Sequence, residues 1–180
     1  MELFKYGLFF NNTGEIYYGL KKEFITTQHA LEFIGNGTVI CISESDKRLL
    51  LSLNKNDATS FNLICENLRI INNNFNDVNI IKQEVEPSTY DNIPNNYKII
   101  WELESLLKAE DTSDNIDECL EKVYEHYYLL DFPKSLNKFL LFSEYDSIYT
   151  NMDKYGNFKN HIYQEVEKVK SFNETSRILL

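Results

Sequence analysis

The chain has 180 residues, 43% of them hydrophobic, with twelve Tyr, twelve Phe, only three Pro and a net charge of −10. This composition excludes a disordered chain and supplies a core that needs no metal or disulfide to hold it. The acidic balance argues against DNA or RNA as a partner. Phosphate binding needs clustered Lys and Arg, and the longest basic groupings here are the pairs Lys21-Lys22 and Lys47-Arg48.

At this length the expectation is a single domain, 1–180, or two helical lobes, 1–71 and 95–180, joined by the Asn- and Pro-rich segment 72–94. After an apolar N-terminal stretch, Asn12 or Thr13 is placed to cap a helix with Glu15 in its first turn and Ile16, Tyr17 and Leu20 on one face. Thr26 or Thr27 opens the next helix, with Ala30, Leu31 and Ile34 inward, and Gly35-Asn36-Gly37 ends it. Thr38 to Ile42 is short, β-branched and bounded by turn residues, which suits a strand or an extended linker.

Helical periodicity resumes at Asp46. Asp57 is placed to cap a further helix carrying Phe61, Ile64, Cys65 and Leu68 at helical spacing. From Asn72 to Pro94 the pattern dissolves into Asn and Pro, which favour turns, and Val78 to Val85 inside it reads equally as strand or helix. Beyond Tyr97, Ile99, Ile100, Leu103, Leu106 and Leu107 make an apolar face, with Glu102, Glu104 and Lys108 directed elsewhere. Ser113 or Asp114 is the expected cap of the next helix, with Ile116, Leu120, Val123, Tyr124 and Tyr127 inward.

Asp131-Phe132-Pro133 breaks that helix and begins another, with Leu136, Phe139 and Leu140 buried. Tyr149 to Gly156 reads as a turn, and His161 to Phe172 as a last amphipathic helix through Ile162, Val166 and Val169. The fold class is therefore mainly α, about seven helices packed as helical hairpins. The alternative is α+β, with short strands at Thr38 to Ile42 and Val78 to Ile81.

Little in the chain suggests chemistry. Cys41, Cys65 and Cys119 form no C-x-x-C pair and are expected as reduced, buried thiols. His29, His126 and His161 lie in separate helices; His29 with Glu32 and His161 with Glu165 are polar pairs without a second ligand motif, so neither metal nor cofactor is expected. There is no G-x-S-x-G, P-loop or G-x-G-x-x-G, and no catalytic residue is assigned. The N-terminus lacks the basic and apolar regions of a signal peptide, and no apolar window reaches about 18 residues, so a cytoplasmic protein without membrane contact is expected.

What stands out is charge. From Glu84 to Asp131 there are thirteen Asp and Glu against three Lys, a local balance equal to that of the whole chain. Within this block Glu110, Asp111, Asp114, Asp117, Glu118, Glu121 and Glu125 fall along one loop and one helix, and these seven are the candidate partner-binding residues. Asp114, Asp117 and Glu118 also complement the helix dipole, and Lys122 is positioned to pair with Glu118. Glu118, Glu121 and Glu125 repel one another on one face, a cost that a Lys- or Arg-bearing partner relieves.

Lys98-Ile99-Ile100-Trp101, Asn115-Ile116-Asp117, Leu120-Glu121-Lys122-Val123-Tyr124-Glu125 and Asp131-Phe132-Pro133, with Phe139 after them and Glu15-Ile16-Tyr17-Tyr18-Gly19-Leu20 before, resemble the bacterial family catalogued as domain of unknown function 2247. The chain departs from that pattern at Leu129-Leu130-Asp131-Phe132 and Phe142-Ser143-Glu144. The resemblance implies no activity and carries over no catalytic residue. Size, charge and the missing catalytic motif fit, by analogy, a non-enzymatic acidic binding protein such as an immunity protein that neutralises a basic toxin domain. The alternative expectation is a small-ligand protein or enzyme with a helical pocket lined by Trp101, Tyr124, Tyr127 and Tyr128.

Overall fold

Eight helices and one pair of short strands make up the described residues, which in this computed structural model are 1–53, 58–76, 98–130 and 148–178. The fold is mainly α. The chain divides into two compact units, one formed by residues Met1–Leu8 and Ile100–Ser171, the other by Phe9–Ile99 and Phe172–Leu180.

The second of these units contains the strands. β1 (Phe10–Asn12) and β2 (Val39–Cys41) pair in parallel, with Phe10 opposite Val39 and Asn12 opposite Cys41. β1 had no sequence assignment, and it supplies the partner that makes Thr38 to Ile42 a strand rather than a linker. Parallel strands need a crossover, and here it is two helices, α2 (Thr13–Lys21) and α3 (Thr27–Gly35).

Asn12 caps α2, its Oδ1 accepting from the N–H groups of Gly14 and Glu15 at 2.9 and 3.2 Å. The helix packs on β1, α3 and α5 (Ala58–Asn76), so it has little solvent face. Ile16 and Leu20 are buried as expected; Tyr17 is only half-buried, and its neighbour Tyr18 is the fully buried aromatic.

In α3 the inward residues are Ala30, Leu31 and Ile34, as the spacing predicts. Thr26 closes a capping box with His29, and the chain turns away through Gly37 at φ 72°, a left-handed conformation that glycine adopts without penalty. α4 (Glu44–Ser52) begins two residues before the predicted Asp46, because Ser43 is the cap and accepts from the Asp46 N–H at 3.1 Å. α5 buries Ile64, Cys65, Leu68 and Ile71, whereas Phe61 is half-buried. It also runs through Asn72 to Asn76, where the sequence suggested turns: packing of the preceding turns outweighs the weak helix propensity of Asn.

In the other unit, α1 (Glu2–Lys5) is a single turn with Leu3 buried. α6 (Ile99–Asp111) buries Ile100, Leu103, Leu106 and Leu107 as predicted, and Trp101 with them. Ile99 is a correction: it is 46% exposed at the first position of the helix. α7 (Ile116–Leu129) buries Cys119 and Val123, and Leu130 follows it into the core.

α8 (Ile148–Ile178) replaces the predicted turn and short helix with one long helix. Gly156 sits exposed within it, and a lone glycine costs about 1 kcal/mol relative to Ala without breaking a helix. Ile162 and Val166 are buried as expected, Val169 is only half-buried, and Asn173 is buried as well. The predicted cap Asp57, the segment Val78 to Val85 and the helix after Pro133 lie outside the described residues.

Candidate partner-binding face

The seven acids identified from sequence lie at the end of α6, in the turn after it and on α7, and they divide into two groups. Glu110 is paired with Lys159 of α8 at 2.7 Å, and Asp111 with Lys5 at 3.1 Å. Hydrogen bonds that the Lys5 ammonium donates to the carboxylates of Glu2 and Asp111 hold its pKa above the ordinary value. Glu118 is tied into the α6–α7 turn. Its Oε1 accepts from Lys122 Nζ at 2.7 Å and its Oε2 from the Asp114 N–H at 3.0 Å. The hydrogen bond from Lys122, then that from Asp114, lowers the pKa of Glu118 below the usual carboxylate value.

The expected cap, Ser113 or Asp114, is a correction. Asn115 caps α7, its Oδ1 accepting from the Glu118 N–H at 3.0 Å, while Ser113 Oγ donates back to the Ala109 carbonyl at 2.6 Å and closes α6. Lys122 also donates to the Thr112 carbonyl at 2.6 Å, so its charge is held at the turn.

Asp114, Asp117, Glu121 and Glu125 are exposed. At 3.6 residues per turn, Asp117, Glu121, Tyr124, Glu125 and Tyr128 fall within an arc of about 100°, opposite buried Cys119 and Val123. Tyr124, expected inward, is 45% exposed, and Tyr128 is 50% exposed. Cys119 takes the buried position instead, and Leu120 is only half-buried. The two tyrosine rings meet edge to face at 5.1 Å, and their hydroxyls are 2.6 Å apart. The result is a helix face of alternating carboxylates and phenols.

Of the four aromatics expected to line a pocket, the three whose side chains are described do not share one lining. Trp101 is buried in α6 at 3% exposure, Tyr124 and Tyr128 face outward, and the Tyr127 side chain lies outside the described residues. His161 Nδ1 and Glu165 are 3.9 Å apart, and Glu165 is also bound by Lys168. His29 is engaged in its capping box, and Glu32 accepts from Gln28. Among the described residues no three His, Cys, Asp or Glu side chains gather as a metal-ion group.

Cys41, Cys65 and Cys119 are free and buried. Burial raises the pKa of the Cys65 thiol. Burial, with the charge of Glu110 second, pushes that of Cys119 to about 11, so both are protonated at neutral pH. No helix among the described residues is long and apolar enough to cross a membrane.

Compared with models of known families, with curated proteins and with solved structures, the chain matches none.

Glu15, in the first turn of α2 as expected, and Glu104 both take structural roles beyond those read from the sequence. Glu15 is buried, its Oε2 accepting from the Asn11 N–H at 2.5 Å. The signal was present, because Asn12 and Glu15 have the spacing of a capping box. Glu104, expected to point away from the core contacts, instead accepts from the N–H groups of Glu2 and Leu3 at 3.1 and 2.9 Å and so caps α1. No local pattern signals that contact.

Proposed function

We propose that this is a binding protein without chemistry of its own, whose α7 face receives a basic protein partner in the manner of a bacterial immunity protein neutralising a cognate toxin. The observation that carries this reading is the outward face of Asp117, Glu121, Tyr124, Glu125 and Tyr128 on one helix, with the adjacent Lys122 held at the α6–α7 turn. Tyrosine supplies contact area at low entropic cost, and carboxylates on the same face steer a basic partner and set its register. The net charge of −10 extends that attraction beyond the face itself. A cytoplasmic setting and kinship with the domain of unknown function 2247 belong to the same proposal.

The test is capture of partners from the native host by the wild type and by a variant carrying Asp117→Asn, Glu121→Lys and Glu125→Lys. Asn at position 117 spares the start of α7 a positive charge. The expected result is a basic partner retained at about 50 mM salt, released at about 0.5 M, and not retained by the variant. Equal retention by the variant at low salt overturns the proposal.

A further inference from the structure

The phenol pair on α7 has a chemical consequence that does not depend on partner binding. Tyr124 and Tyr128 stand one helical turn apart, each about half exposed, with ring centroids 5.1 Å apart, an interplanar angle of 77° and hydroxyls 2.6 Å apart. Hydroxyls this close bring the ring carbons ortho to them near one another. Coupling between them is then intramolecular and strongly favoured over encounter between chains. Exposed rings reorient on the picosecond to nanosecond scale, so the edge-to-face arrangement can turn toward the edge-to-edge approach that coupling needs.

We propose that Tyr124 and Tyr128 are an oxidative cross-linking site, joined as dityrosine by a one-electron oxidant such as a haem peroxidase supplied with hydrogen peroxide. Each phenol gives up one electron and its hydroxyl proton. The two phenoxyl radicals form a carbon–carbon bond between positions ortho to the oxygens, and the hydrogens on those carbons move to the oxygens, restoring both phenols. One hydrogen peroxide accepts the two electrons and two protons and leaves as two waters. The product staples one turn of α7 and fixes the tyrosines of its outward face.

The experiment treats the full chain, at dilute concentration, with peroxidase and hydrogen peroxide, then digests it with trypsin. The peptide 123–134 is expected to lose two hydrogens and to show dityrosine fluorescence. Tyr124→Phe and Tyr128→Phe should each lose that product, whereas Tyr127→Phe, in the same peptide, should keep it. Circular dichroism of each variant checks that α7 is intact. Coupling that survives in the Tyr124→Phe or Tyr128→Phe variant, covalent dimers without the internal link, or an unmodified wild-type peptide would each overturn the proposal.

Discussion

Glu15 is a buried carboxylate and Glu104 a half-buried one. Burial raises the pKa of Glu15 from 4.5 to about 8, against the opposing pull of the Asn11 and Asn12 backbone groups. Between those two values the folded chain holds a proton that the unfolded chain has released, so stability falls as pH rises, by about 1.4 kcal/mol per pH unit, and levels off above the folded pKa. Glu15→Gln should flatten that slope in denaturation midpoints measured from about pH 5 to about pH 8. A wild-type slope retained by the variant would remove Glu15 as its source. The pKa of Glu104 is also raised by burial, opposed by the N–H groups of Leu3 and Glu2. Glu104→Ala leaves those two donors without their acceptor and should cost about 1–3 kcal/mol. The corresponding readout is faster amide exchange at Glu2 and Leu3, and unchanged protection there would contradict the cap.

At the scale of elements, the α6–α7 turn shows how side chains set where helices stop and start. Thr112 and Ser113 hydroxyls bond back to the Lys108 and Ala109 carbonyls, Asn115 caps α7, and Lys122 spans the turn from Thr112 to Glu118. Asn115→Ala should lower stability by about 1 kcal/mol in chemical denaturation, the usual cost of losing a cap. No loss would mean that Asp114 or Ser113 takes over, as the sequence suggested. α3 was fully legible because its cap, its three inward residues and its glycine stop are all encoded within a few positions. α8 was not, because turn propensity at Tyr149 to Gly156 is a weak local preference that the longer helix overrides.

At the scale of the molecule, each unit has its own buried core. Leu68 of α5 is fully buried, and its carbonyl accepts from Thr13 Oγ1 of α2 at 3.1 Å. Leu68→Ala should cost about 2–5 kcal/mol by lost burial and the cavity left behind. A change under about 0.5 kcal/mol, the scale of a typical surface substitution, would contradict the packing of α2 on α5. The sequence by itself determined the mainly helical class, the inward faces of α3 and most of α6, and the concentration of acid near α7. Apolar periodicity and helix caps act within one or two turns, so a linear reading recovers them. Only the tertiary structure decided that β1 would find β2, that Glu104 would cap a helix 101 to 102 residues away, and that Lys5 and Lys159 would engage two of the seven acids. The outward turn of Tyr124 belongs with these, because burial goes to the side chain that fits the neighbouring surface, and on α7 that was Cys119.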